Sequence, residues 1–406
     1  MNCGRVGKRS IRSNGSSLKP SDNQFDIIAA QPRAWSILSR SFLNDRVAST
    51  YLFSGPYGAG HWAMTLAFTS LLNCEQPIDD IDGEGNRTVR PCRVCRHCRA
   101  IAHGNFEGFF PVVPLQPYKK DPERYDQINA YLERRRDEPL ALPNEEKSVY
   151  IRIETAVDIK HRLSRRATEG QTRVVLFDRM ERARPDAADS LLKMIEEPPP
   201  RTVIILTAER PDSLLPTIQS RAQMVRLSRV PEKLISGYLQ ERYELSERRA
   251  ILAARLSEGL PGRAVLLADV DATEEGSTRS LGWLIFKLLF QPGGGEVMQV
   301  VYEQLASRGL GDIEQVLELW QSLIRDCAYY AVVGDGSGLT NVDFEERLIA
   351  LSRPFEFGSL AEEMTAEIKN TLADLRRNVH IHTALAALVI KLRSAIRRAE
   401  HGAAVA

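Results

Sequence analysis

Three short runs of the chain are apolar at nearly every position: Thr50-Tyr51-Leu52-Phe53, Arg173-Val174-Val175-Leu176-Phe177 and Thr202-Val203-Ile204-Ile205-Leu206-Thr207. Continuous β-branched and aromatic runs of this length suit strands covered on both faces, as in a parallel sheet. Between them the spacing changes to that of amphipathic helices. Helices are predicted at Pro32–Leu43, Ala63–Leu72, Ala156–Arg166 and Asp186–Glu196. This alternation, from Phe25 to Leu227, predicts an α/β domain. Beyond Leu227 the strand pattern stops. Residues 231–268 read as short helices ending in Gly259-Leu260-Pro261-Gly262-Arg263-Ala264. Longer amphipathic helices follow at Trp283–Phe290, Val297–Ser307, Ile313–Val332 and Val379–Arg398. The predicted organisation is a tail (1–24), an α/β domain (25–228), a small helical domain (229–275) and an all-α domain (276–406).

Composition narrows the class without naming it. The 406 residues are 43 % hydrophobic and 26 % charged, with a net charge of +1. These are the proportions of a soluble globular protein, and the balance argues against a chain built around bulk attraction to nucleic acid. The absence of a signal-like apolar segment and of a membrane-length run predicts a cytoplasmic protein. The first 24 residues, rich in Ser, Arg and Lys and carrying Cys3, predict a disordered basic extension. A second polar stretch, Pro117 to Ser148, is highly charged, with a helix predicted at Tyr125–Arg136. Its mixed charge reads as a solvated insertion, and no chemistry is assigned to it.

Cys92, Cys95 and Cys98 form a C-x-x-C-x-x-C run, with Cys74 upstream. Four thiolates with tight local pairs fit a closed, structural zinc site. An iron–sulfur centre or a redox dithiol draws on similar spacings. Flanking Arg90, Arg93, Arg96 and Arg99 are expected to offset the thiolate charge, and His97 is a possible substitute ligand. Cys327, inside an apolar helical stretch, reads as a small buried residue.

The strand ending at Phe53 leads into Ser54-Gly55-Pro56-Tyr57-Gly58-Ala59-Gly60-His61-Trp62. Gly55 and Gly60 have the spacing of a phosphate-binding loop, and Gly58 adds a further glycine. The lysine that should reach the phosphates is His61, however, and the hydroxyl that should hold magnesium is Trp62. Asp178, after the second strand, stands where a magnesium-organising carboxylate would lie, and equally where a polar residue would cap a strand. The next position, suited to a water-activating glutamate, is Arg179, and Glu181 comes two residues too late. Loss of these groups at separate places predicts a nucleotide frame without hydrolysis.

The segment Ala187-Ala188-Asp189-Ser190-Leu191-Leu192-Lys193-Met194-Ile195-Glu196-Glu197-Pro198-Pro199 resembles the A-x-N-x-L-L-K-x-L-E-E-P-P motif of bacterial clamp-loader ATPases. Leu214-Leu215-Pro216-Thr217-Ile218-Gln219-Ser220-Arg221 resembles their L-L-x-T-I-x-S-R-C motif, with Ala222 in place of the cysteine. With cysteines placed after the loop helix, residues 25–268 are similar to the gamma/tau and delta-prime subunits of DNA polymerase III. The region around Trp320, Arg325-Asp326 and Asn341-Val342-Asp343 more loosely resembles the delta-prime collar.

The resemblance implies an AAA+-like core with a parallel sheet and zinc module, a helical lid and an all-α collar. It implies a clamp-loading role beside gamma/tau and delta subunits, with the sliding clamp and primer-template DNA reached through the assembly. The broken loop is the delta-prime pattern, so ATP is not expected to bind productively. Arg221 then becomes an arginine finger for a neighbouring subunit, Thr207 a sensor position and Arg263 a second one. An ATPase that uses His61, and a zinc-ribbon DNA-binding protein, are the competing readings.

Overall fold

In the computed structural model the three apolar runs become the middle strands of a five-stranded parallel sheet. Residues 25–83, 85–142, 149–164, 170–269, 277–352, 357–377 and 379–403 are described. The expected tail and residues 143–148 of the charged insertion lie outside them. The strands are β1 (Thr50–Ser54), β4 (Phe109–Val112), β5 (Arg173–Phe177), β6 (Thr202–Ala208) and β7 (Gln223–Arg226). They run in the order β4-β5-β6-β1-β7. Every pair is parallel, with Tyr51 opposite Ile205 and Val175 opposite Ile204. The α/β expectation therefore holds.

The two edge strands escaped the sequence reading for a physical reason. β4 contains Pro111 and β7 is largely polar, both features of sheet edges, where a missing N–H or a wet side chain costs little. A separate antiparallel hairpin, β2 (Ile78–Ile81) with β3 (Arg87–Arg90), also went unpredicted.

Helices α1 (Pro32–Leu43), α2 (His61–Asn73), α3 (Arg96–Ala102), α4 (Asp121–Asp137), α5 (Ile153–Ser164), α6 (Pro185–Glu196) and α7 (Glu232–Tyr243) accompany the sheet. Pro32 and Pro185 open α1 and α6, where the missing N–H is no loss. The core under α5 and α6 joins Ile159, Leu163, Leu191 and Ile195 to Val175, Phe177, Ile204 and Leu206, all essentially inaccessible to solvent.

The chain divides into two compact units. One holds the sheet and runs to Glu244, resuming at Ser257–Leu266; the other holds Leu245–Leu256 and everything from Leu267. The segment expected as a small helical domain is thus shared between them. The second unit is helical throughout its described residues, with α8 (Thr278–Leu289), α9 (Leu310–Val333), α10 (Phe357–Arg376) and α11 (Ile381–Ala403) as its main elements. Ser277 caps α8 by accepting the Ser280 N–H. Trp320 is buried and donates its indole N–H to Gly282 O at 2.8 Å. Arg393, also buried, donates to Leu288 O at 3.1 Å and so satisfies the end of α8. Asp326 accepts from Thr340 N and from both nitrogens of Asn341. Arg279 grips Asp343 bidentately at 2.7 and 2.8 Å and also bonds Asn341 Oδ1. The polar residues noted near the chain's end are therefore the internal clasp of this bundle. Cys327 is fully buried, as expected. No helix among the described residues is long and apolar enough to cross a membrane.

Candidate nucleotide site and metal centre

The glycine-rich loop leaves the C-terminal end of β1, where a parallel sheet ordinarily presents its ligand site. Gly60 caps α2 with a φ of 101°, a left-handed conformation that favours glycine. The first two residues of α2 decide what this frame can do. His61 is buried, and desolvation pushes its imidazole down to about 4, with Asp178 opposing and the Arg135 guanidinium assisting. It is neutral at physiological pH and cannot replace a lysine's charge. Trp62 packs edge-on to Phe109, with centroids 5.8 Å apart, and lies at the same distance from Tyr131. A buried indole fills the place of a magnesium-binding hydroxyl.

Asp178 is buried at the end of β5, and both of its oxygens are engaged. Oδ1 accepts from Thr207 Oγ1 at 2.8 Å, and Oδ2 accepts from Tyr131 Oη at 2.6 Å. Arg135 Nη2 lies 3.6 Å from the same Oδ2. Thr207 in turn accepts the Arg179 N–H at 2.7 Å, holding Arg179 in the left-handed region at φ 60°. The Arg179 guanidinium lies over the Tyr57 ring at 5.0 Å. Asp178 is thus both strand-end cap and ion-pair partner, and Thr207 serves as a cap. Glu181 sits in the following 3-10 turn, where burial raises its pKa.

Tyr131 and Arg135 come from the insertion to which no chemistry was assigned. The insertion does contribute side chains to the site. The helix is longer than predicted, and residues 124, 131, 135 and 138 form a stripe facing the core. Arg124, Arg135 and Glu138 are under a tenth exposed. The signal was their helical spacing. It went unread because the inward residues are polar and bury their stems while their heads find partners.

Acid provides a direct check on His61. Unfolded, the ring binds a proton near its ordinary 6.5; folded, it resists protonation down to about 4. Its contribution is therefore complete above the higher value and lost as pH falls between the two. At about pH 5 the loss is about 2 kcal/mol. Urea unfolding of the α/β unit at neutral pH and at pH ~5 should show a fall that His61→Leu lacks. An equal fall in both proteins would place the titration elsewhere.

The four expected cysteines do come together. The sulfurs of Cys74, Cys92, Cys95 and Cys98 lie within 4.8 Å of one another, three of them on buried residues. Backbone N–H groups of Cys92, Cys95 and Cys98 point at the sulfurs of Cys74, Cys92 and Cys95, at 3.3, 3.3 and 3.5 Å. Amides directed at sulfur suit thiolates, so the set fits a metal ion and is consistent with zinc. His97 stands outside it, with Nδ1 bonded to Asn73 O at 3.0 Å. The arginine expectation changes as well. Arg90, Arg93 and Arg96 pair with Asp80, Asp26 and Glu75, so carboxylates take the charge expected for the sulfurs. Trp35 Nε1 donates to Val89 O at 3.0 Å, which fastens the hairpin beside the cysteines to α1.

The family model for DNA polymerase III, delta subunit, matches residues 30–231. The chain belongs to the delta-prime and gamma/tau family of clamp-loader subunits. It is 23 % identical over 332 residues to the delta' subunit of Bacillus subtilis strain 168, covering 77 % of this chain and 87 % of that protein. It is 25 % identical over 214 residues to the delta' subunit of Escherichia coli K12, covering 53 % and 52 %. With the tau/gamma subunit of Haemophilus influenzae it shares 23 % over 323 residues, covering 75 % of this chain. It spans only 40 % of that longer relative. A gamma subunit-related protein of DNA polymerase III from Thermotoga maritima aligns in structure with a TM-score of 0.40 at 14 % identity, covering 90 % of this chain and 99 % of that one.

In this clamp-loader chain Arg221 follows the short helical turn Pro216–Gln219 and is 44 % exposed at its side chain. Its Nη2 lies 3.2 Å from Glu196 Oε1, and Nη1 donates to Thr217 O at 3.1 Å. Ala222, in place of the motif's cysteine, packs against the sheet core. Arg263 is half-buried at the start of the helix Pro261–Asp269.

Proposed function

We propose that this chain is a delta-prime-like subunit that hydrolyses no ATP itself and presents Arg221 to the nucleotide of an adjacent ATPase subunit. The observation that carries the reading is the contrast between its two sites. Where the chain's own phosphates would lie, the cation is a neutral His61, the hydroxyl is a buried Trp62 and the carboxylate of Asp178 is already bonded. Arg221 meanwhile is surface-exposed just after a short helical turn, in a surface ion pair. A guanidinium so placed can neutralise charge on a transferring phosphoryl group across an interface.

In this reading the subunit assists ATP-dependent loading of a sliding clamp onto primed DNA. Its partners are gamma/tau and delta subunits, with clamp and DNA contacts made through the assembly. Residues 229–275 act as the lid and the helical remainder as the oligomerisation collar. The four cysteines hold a structural zinc, and the protein works in the cytoplasm. Two measurements test the core of it. The isolated chain should show no turnover of ATP, and an assembly reconstituted without it should fail to load clamps. Robust hydrolysis by the chain alone, abolished by His61→Ala, would replace the proposal with an active gamma/tau-like ATPase.

A further inference from the structure

The degenerate phosphate site is already furnished with a ligand, and that ligand is part of the same chain. Three sets of contacts converge. Tyr131 and Arg135 of α4 meet the Asp178 carboxylate, and the Arg135 guanidinium also lies 5.2 Å above the Trp62 ring. A cation from the insertion thus takes the carboxylate that would organise magnesium.

The turn after α4 then settles onto the loop itself. Leu140 is 2 % exposed and approaches Gly60, while Leu142 approaches Gly58. Gly262 belongs to this arrangement. A Cβ there would stand 2.7 Å from Leu140 O, so only glycine lets the insertion's backbone pass. Gly262 also donates its N–H to Gly58 O at 2.9 Å.

The third set ties the insertion to α7. Glu138 accepts from Tyr238 Oη and, at 2.9 Å, from Tyr243 Oη, while its other oxygen accepts Leu140 N at 3.0 Å. Arg242 donates to Asp137 O at 3.2 Å. The cavity left among Tyr57, His61, Trp62, Arg135, Asp178 and Thr207 measures about 20 Å³. That is room for roughly one water molecule.

We infer that residues 121–142 are the permanent occupant of this site: an intrachain plug that stands in the place of nucleotide and binds the phosphate loop to α7. A nucleotide can tie these elements together only while it is bound. The covalent plug holds them in one arrangement at every nucleotide concentration. This inference concerns the chain's own site, so it stands or falls separately from the trans role of Arg221.

The test is amide hydrogen exchange on the full chain with and without millimolar MgATP. Protection in the loop, the C-terminal turn of α4 and α7 should be high and unchanged by nucleotide. Loop protection that rises with MgATP while α4 loosens would overturn the inference, because the plug would then be displaceable. A second arm uses His61→Lys, alone and combined with Tyr131→Ser and Arg135→Ser, titrated with ribose-labelled fluorescent ATP. Restoring the lysine alone should leave binding weak. Opening the plug as well should raise affinity at least ~10-fold, the competing closed state having been removed. Equal affinity in the two variants, with circular dichroism confirming that both are folded, would overturn the inference equally.

Discussion

If Arg221 serves a neighbour's site as proposed, Arg221→Ala should lower ATP turnover there by about 10³-fold or more, the range a trans arginine supplies in phosphoryl transfer. Total ATPase of a reconstituted assembly falls by the share which that one site carries. The isolated chain should not register the change. Arg221 is exposed and its pairing with Glu196 at 3.2 Å is a surface ion pair. Such pairs are worth roughly 0–1 kcal/mol, so the guanidinium can leave Glu196 for a phosphate at little cost. Arg221→Lys is expected to rescue poorly, since an ammonium keeps the charge but loses the planar, two-pronged geometry. Single-turnover hydrolysis checks this, with size-exclusion chromatography confirming assembly. Undiminished turnover in a fully assembled complex would remove Arg221 from the mechanism.

Loss of a cysteine from the proposed metal centre should have the larger effect on folding. Cys98→Ser should release one zinc per chain and unfold residues 74–102, because structural zinc is worth on the order of 10 kcal/mol in small modules. The damage is expected to spread in one direction. Trp35 holds the hairpin through Val89 O, and Ser36 Oγ bonds Asp82 at its turn, so α1 loses its outer cover. The parallel sheet has its own core around Val175, Ile204 and Leu206 and should persist. Metal analysis together with limited proteolysis reads both effects. Purified wild-type protein without zinc, or a metal-free variant with full protease resistance between Cys74 and Ala102, would refute the assignment.

What the sequence disclosed and what it concealed follow from burial. β1, β5 and β6 are covered on both faces, so their central residues are apolar without interruption and stand out from the sequence alone. β4 and β7 lie at the edges, where Pro111 and Gln223 carry little penalty, and nothing in their composition announces a strand. The cysteines were legible because metal ligation demands one residue type at tight spacing. The loop's missing lysine was legible for the same reason. The contents of the site were not. Tyr131 and Arg135 reach it from more than forty residues before Asp178 and more than sixty after the loop, with Glu138 at the end of the same helix, whose polarity resembles a wet surface. Their partners, Asp178, Trp62 and Tyr238, supply what solvent would otherwise provide, and partners of that kind become visible only in three dimensions.

The packing around Trp62 also bears on how this chain can evolve. Trp62→Thr would exchange an indole touching Phe109, Tyr131 and Arg135 for a small side chain, and truncations of buried aromatics cost about 3–5 kcal/mol. A lysine at position 61 would bring a second cation toward Arg135, in a space with room for roughly one water. Trp62→Thr and His61→Lys should each therefore lower stability when made alone. With the proposed plug in place, the loop would behave as a ratchet: a working phosphate site would need several substitutions at once.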